Sequence, residues 1–242
     1  MRDACCANCE RMGQKMVAIK IYELGEIPAG IETFEDFRRW SLSDEFPQRG
    51  RIDFINGHIE VDMAPDRINT HSVIVSAIVA TLWNFVDRHG LGQVLGSQTR
   101  IASRPAELSC EPDIKVVLWE SLRSGRVKYA PATNQLSEDD MLEVEGGPGV
   151  VVEILSPGSV EKDKTLLPPA YFKAGVREYW LVDALEKQLS FQIQKRGRKG
   201  FETVVPDAKG FAHSDVLNQS FRLKRRKGPV DYTWIYNLEH RA

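Results

Sequence analysis

Two nearly continuous apolar segments in the middle of the chain are each associated with a carboxylate, and they constrain the fold more than any other feature. One segment runs Ile-Lys-Val-Val-Leu-Trp from residue 114 and directly follows Asp113. The other runs Val-Val-Val-Glu-Ile-Leu over residues 150–155 and contains Glu153. Such runs are typical of central strands covered on both faces. The sequence therefore predicts an α/β or α+β protein, with a mixed β-sheet flanked by helices.

Further elements can be predicted around these strands. Asn56-Gly57 between two alternating segments predicts a hairpin. Apolar residues at helical spacing predict a long helix over residues 69–89. A polar, acidic stretch of roughly 30 residues separates the two apolar segments and predicts an excursion from the core. We also expect a helix start at Thr33, strands near 94–102 and 178–183, a helix from Pro168 to Gly175, and a basic hairpin near 188–194 and 201–205.

The charge distribution is uneven, although the formal net charge is only -2. Residues 187–242 contain 12 Lys/Arg and 5 Asp/Glu, so they carry +7 while the remaining residues carry −9. A basic C-terminal part can contact a phosphate backbone. The same pattern also fits solvated surface loops.

The first residues give little positive information. Cys5, Cys6 and Cys9 include one pair at metal-ligand spacing, but a structural zinc site usually needs a second pair. We expect residues 1–20 to be a flexible leader and residues 21–242 to form a single domain. No stretch is expected to reach the roughly 20 apolar residues of a membrane span. A cytoplasmic location without membrane contact is the default expectation.

Asp113 and Glu153 are the candidates for chemistry, because each is predicted at or inside a buried strand. A buried carboxylate needs compensation. A hard divalent cation such as Mg²⁺ supplies it, since this ion binds carboxylates, waters and phosphate oxygens. Either acid alone is better explained by an ion pair or a hydrogen bond. The occurrence of both on successive core strands favours a site.

These residues resemble the signature of the PD-(D/E)XK nucleases. More specifically, the chain is similar to the Uma-two family of restriction endonucleases over roughly residues 33–185. The resemblance rests on Asp53 with Asn56-Gly57, His71, Pro112-Asp113, Val152-Glu-Ile-Leu-Ser-Pro157, Asp163, Tyr171 and Gly175-Val-Arg-Glu-Tyr-Trp-Leu-Val-Asp183.

The resemblance implies a restriction endonuclease-like core and hydrolysis of phosphodiester bonds in DNA. It also implies that Asp113 and Glu153 bind Mg²⁺ or Mn²⁺ and that Asp53 is a further metal ligand. A lysine usually completes such a site. Its two usual places are Leu155 and Leu167 here.

Lys162 and Lys164 flank Asp163 and are the natural substitutes for the missing lysine, because a lysine stem can span several ångströms. Both lysines are equally explained as solvated loop charges. His71 fits a structural histidine at a helix start, and Tyr171 and Trp180 fit the core.

Three functions follow. The chain is a metal-dependent DNA endonuclease, a catalytically silent nucleic-acid-binding protein that keeps the fold, or a hydrolase of another phosphate ester. The missing lysine favours the silent protein, and the two retained acids favour the endonuclease. By analogy with double-strand cleavage, a homodimer is expected.

Overall fold

The computed structural model describes residues 27–28, 30–47, 49–132 and 139–242. The predicted leader and its three cysteines lie outside these residues. Within the described part, helices and strands form a mixed α+β architecture with several mixed sheets. The predicted fold class is therefore confirmed, although three sheets are present where we expected one. That residues 21–242 form a single domain stays a prediction.

The central sheet contains both strands of the acid pair. Its strands are, in chain order, β3 (Gly92–Leu95), β6 (Ile114–Leu118), β9 (Val150–Ile154), β10 (Glu178–Asp183), β11 (Ser190–Arg196) and β12 (Phe201–Thr203). The spatial order is β12-β11-β10-β9-β6-β3. β6 pairs antiparallel with β9, and β9 pairs parallel with β10. All residues of β6 and β9 are buried, as their continuous apolar pattern predicts.

A second six-stranded sheet packs against one face of the central sheet. Its strands are β1 (Arg51–Ile55), β2 (His58–Asp62), β4 (Arg100–Ser103), β5 (Leu108–Cys110), β7 (Lys128–Pro131) and β8 (Met141–Glu145), in the order β2-β1-β5-β4-β8-β7. The predicted hairpin is present, with Asn56 at φ 49° and Gly57 at φ 84°. Both values lie in the left-handed region that a two-residue hairpin turn requires.

Two predictions about this part of the chain were wrong. Residues 94–102 do not form one strand, because β3 and β4 belong to different sheets. The acidic segment after residue 119 is not an excursion either, since β8 pairs parallel with β4 and buries Val144 in the core. Glu143 and Val144 of β8 are both buried, so the acidic character of this segment concealed a strand that packs in the core.

The other face of the central sheet is covered by a helix and a third sheet. The helix is α2 (Val73–Arg88), and the third sheet consists of β13 (Ala212–Ser214), β14 (Gln219–Lys227) and β15 (Trp234–Arg241). The other α-helices among the described residues are α1 (Phe34–Ser41), α3 (Trp119–Arg123) and α4 (Leu167–Ala174). Ile78 and Leu82 of α2 share one apolar cluster with Val152, Trp180 and Phe221. Side chains on the opposite face of β9, such as Val151, pack towards the second sheet and α4.

The long predicted helix needs one correction. Residues Ile68–Arg88, which are α2 and the π-helical turn before it, have a mean hydropathy of 1.2. By length and composition alone this stretch is long and apolar enough to cross a membrane, contrary to our expectation. One face of it, including Ile74 and Phe85, is buried in the core. A core helix of a globular protein has the same pattern.

Candidate active site

Asp113 and Glu153 meet across two neighbouring strands of the central sheet. Asp113 directly precedes β6, and the register of β6 and β9 brings it opposite Glu153 on the same face. The Asp113 backbone N–H donates to Glu153 Oε2 at 3.3 Å, and the Ile154 N–H donates to Asp113 Oδ2 at 2.8 Å. The two acidic residues are 1% and 2% exposed. The structure therefore brings together the two acids that the sequence singled out.

The second sheet supplies two more charged side chains, both from β1. Arg51 Nη2 donates to Asp113 Oδ1 at 2.9 Å. Asp53, two residues along the strand, accepts from the Glu111 backbone N–H at 3.0 Å and is 1% exposed. Residues two apart on a strand share a face, so β1 presents one cation and one anion to the acid pair. Asp53 therefore faces the interior of the protein.

A π-helical turn at Lys162–Leu166 decides which lysine joins the acids. Lys162 is buried, and its Nζ donates to Asp53 Oδ2 at 3.0 Å. Although burial opposes protonation, the surrounding carboxylates raise the pKa of Lys162. Lys164 lies at the protein surface instead, and its Nζ donates to Asp183 Oδ2 at 3.0 Å. Of the two lysines that the sequence could not separate, Lys162 is the one that lies among the acids.

The crowded charges displace the pKa values of three acids in different directions. Burial alone would raise the pKa of Asp113, but the hydrogen bond from His71 and the charge of Arg51 lower it to about 2. Burial, together with the charges of Asp163 and Asp113, raises the pKa of Glu153 well above its usual value. Burial also raises the pKa of Asp163 to about 6. Burial therefore opposes the ionisation of Glu153 and Asp163, whereas His71 and Arg51 favour the ionised form of Asp113.

A cleft of about 640 Å³ opens onto this cluster. Its walls include residues 62–67 and 156–159 and the side chains of Arg51 and His71. His71 Nε2 lies 3.2 Å from Asp113 Oδ2. Burial would lower the pKa of His71, but the hydrogen bond and the charge of Asp113 raise it. Arg51 and His71 thus lie between the cleft and the buried acids and can donate hydrogen bonds to an anionic phosphate, while Asp62, Asp66 and Glu111 also line the cleft.

Two buried side chains support the site, although the sequence did not assign them to it. One binds the backbone next to Asp113, and the other binds Glu153. Lys115 is 0% exposed, and its Nζ donates to Pro112 O at 2.8 Å and to Thr99 O at 2.7 Å. Burial lowers the pKa of Lys115 to about 8. Tyr171, predicted as a core residue, donates its hydroxyl proton to Glu153 Oε1 at 2.5 Å. A lysine in the middle of an apolar strand was the signal that could have identified Lys115.

The two positions where a lysine is usual have become part of the core. Leu155 is 0% exposed and Leu167 is 1% exposed. Both belong to the apolar cluster between the central sheet, the second sheet and α4. Any positive charge for chemistry must therefore come from another element, and the turn that carries Lys162 is close enough to provide it.

The side chains of the site are chemically suited to bind a hard divalent cation. The donors are carboxylates, and Asp163 Oδ1 is buried without a hydrogen-bond partner. The oxygens of Asp113, however, are already occupied by Arg51, His71 and a backbone N–H. Among the residues that the structure describes, no group of three or more His, Cys, Asp or Glu is arranged as metal ligands. A cation bound at Asp113 would therefore compete with the guanidinium of Arg51.

The fold and this site define a nuclease-like protein, and comparison with known families agrees. The model of the Uma2 family, described as "putative restriction endonuclease", matches residues 34–224, so the chain belongs to this family. Proteins with restriction endonuclease-like sites generally use divalent metals.

One solved structure gives an independent comparison of the fold. The chain is similar to the crystal structure of a "putative nuclease belonging to DUF820" from Anabaena variabilis ATCC 29413. The sequence identity is 21% and the TM-score is 0.55, over 77% of this chain and 90% of that chain. At this identity the likeness shows the fold alone. A comparison with curated proteins gives no match.

Proposed function

We propose that this protein is a nuclease that hydrolyses phosphodiester bonds in DNA and depends on Mg²⁺ or Mn²⁺. One observation carries the proposal: Asp113, Glu153, Asp53 and Lys162 are buried together behind a cleft lined by Arg51 and His71. A protein that only binds DNA has no need for several carboxylates behind its binding surface, because each costs free energy to bury.

The roles of the residues follow from their contacts. Asp113 and Glu153 would hold the metal, with Asp53 or the unpartnered oxygen of Asp163 as further ligands. When bound, such a metal lowers the pKa of a water molecule and stabilises charge on phosphate oxygens. Tyr171 fixes the orientation of Glu153 through its short hydrogen bond.

The cations act on the substrate side of the site. Lys162 keeps an ammonium group beside the carboxylates, where it neutralises charge that develops on the phosphate. Arg51 and His71 line the cleft and donate to an incoming phosphate. These donors are held by packing and ion pairs before substrate arrives, which reduces the reorganisation needed in the transition state.

One assay tests this function. Supercoiled plasmid is incubated with the protein and Mg²⁺ or Mn²⁺, with and without chelator, beside an Asp113→Asn variant. The proposal expects cleavage that both the chelator and the substitution abolish. Cleavage that persists in chelator would contradict metal dependence.

A silent DNA-binding protein is the second candidate, and a specific observation favours it. Arg51 and His71 already occupy the oxygens of Asp113, and Lys162 occupies Asp53. A site partly compensated by its own cations can persist after catalysis is lost. DNA binding without cleavage under every metal condition would support this candidate over the nuclease.

A further inference from the structure

The end of the β14–β15 hairpin is a basic feature that the acid site does not explain. Residues 224–227 read Lys-Arg-Arg-Lys, and residues 228–233 connect the two strands. We call residues 224–233 the basic hairpin tip. The family match ends at residue 224, so nearly all of the tip lies beyond the part of the chain that defines the family.

The tip is attached to the element that forms one side of the cleft. Asn69 Nδ2 donates to the Tyr232 carbonyl at 2.8 Å, and the Trp234 N–H donates to Asn69 Oδ1 at 3.3 Å. Asn69 belongs to the same π-helical turn as His71, and Arg67 before that turn lines the cleft. The basic hairpin tip therefore lies next to the wall of the cleft that carries Arg67 and His71.

A second attachment fixes the tip at the same edge of the central sheet as the acids. The Arg225 guanidinium donates to the Lys187 carbonyl. Lys187 lies between β10 and β11, directly after the carboxyl end of β10. β9 runs parallel to β10 and delivers Glu153 towards that same end. The acids, the cleft and the tip thus share one edge of the sheet.

Three of the four basic side chains of the tip have no carboxylate partner among the described residues, while Lys224 pairs with Glu239 at 3.3 Å. Arg225 and Lys227 lie over the Trp234 ring at 4.4 and 3.9 Å from its centroid, so an aromatic ring rather than a carboxylate orders them. Arg226 is exposed and makes no ion pair with the residues that the structure describes. Tyr232 is 78% exposed. Residues 224–233 contain four basic residues and one acidic residue, Asp231.

We propose that the basic hairpin tip binds the DNA backbone that flanks the phosphate in the cleft. This inference rests on the proposed function and deepens it, because it assigns the surface that positions the substrate. Contacts to phosphates fix the register of a protein on DNA without reading its sequence. Exposed lysine and arginine side chains suit that task, and Tyr232 offers a ring on which an unpaired base can stack.

The test compares two double variants with the same change of charge. Arg226→Gln with Lys227→Gln neutralises the tip. Arg198→Gln with Lys199→Gln neutralises the exposed turn between β11 and β12, at the opposite end of β11 from Lys187. Binding to a labelled duplex of about 30 base pairs, roughly 100 Å long, is measured by fluorescence anisotropy in chelator over a range of salt. Melting temperatures show that both variants fold.

The expected result is specific to the tip. Its variant should bind about tenfold more weakly at ~0.1 M salt and lower the slope of log K against log salt by about 2, while the control stays near wild type. Equal affinities for the two variants, with wild type binding DNA, would overturn this inference and leave the nuclease proposal intact. Absence of DNA binding by wild type in chelator would overturn this inference, and the plasmid assay would then decide the nuclease proposal separately. A loss of duplex RNA binding with unchanged DNA binding would overturn the assignment to DNA.

Discussion

Replacement of Asp163 by asparagine should stabilise the metal-free protein at neutral pH. Asp163 is 2% exposed, one of its oxygens has no hydrogen-bond partner, and burial raises its pKa from 3.8 to about 6. An acid whose pKa is raised in the folded state favours folding in its protonated form. Its ionisation therefore costs stability above pH 6, and this cost disappears as the pH falls below about 4.

The size of the gain follows from the shift. Each pKa unit corresponds to about 1.4 kcal/mol, so the full shift amounts to about 3 kcal/mol. Part of this is shared with Glu153, whose pKa is raised by burial and by the charges of Asp163 and Asp113, and we expect Asp163→Asn to gain about 2 kcal/mol. For a chain of this size the melting temperature should rise by about 6 °C.

The assay is thermal unfolding in chelator at pH 7.5 and pH 4.5, with Glu161→Gln as the control. Glu161 lies on the same turn and is exposed, so its substitution removes one negative charge without relieving burial. The gain should appear at pH 7.5 for Asp163→Asn alone and should be small at pH 4.5. An equal gain at both pH values, or no gain at either, would refute the reasoning.

Three further outcomes can be measured on the same preparations. Asp113→Asn should abolish Mn²⁺ binding in calorimetry, because the amide lacks the charge that a hard cation requires; unchanged affinity would remove Asp113 from the site. Glu153→Gln should raise the melting temperature in chelator, since it relieves repulsion between buried acids. A lower melting temperature would contradict the inference that these acids repel one another. Lys162→Met should reduce the cleavage rate by roughly 100-fold and spare Mn²⁺ binding, whereas Lys164→Met, which removes a surface pair with Asp183, should leave both near wild type.

The features that sequence predicted well are those set by local chemistry or by a strong periodic pattern. The Thr33 capping box, the Asn56-Gly57 turn and the helix end at Gly175 were all expected, and the structure has each of them. The acid pair was also predictable, because a carboxylate next to an apolar strand needs compensation in any fold.

The features that sequence did not predict depend on contacts between distant segments. The division of the strands between sheets is one example, since β4 pairs with β8 across about 40 residues of chain. Lys162 and Lys164 lie two residues apart on one turn, and their local sequence is nearly the same. Only the folded structure shows that Lys162 points inward to Asp53 and Lys164 outward to Asp183. Strands β13, β14 and β15 were also missed, and in β14 the basic residues hide the alternation of buried Phe221 and Leu223.

The guanidinium of Arg51 on Asp113 has a consequence for how such a site can be loaded. A cluster that carries its own counter-ion can fold completely in metal-poor surroundings, and chelation should not unfold it. Metal uptake then becomes an ion exchange, in which one positive charge is released from the carboxylate as another arrives. The released arginine already lines the cleft, so loading the acid would also present a free cation to the substrate. In such a protein, occupancy of the metal site and affinity for phosphate would rise together.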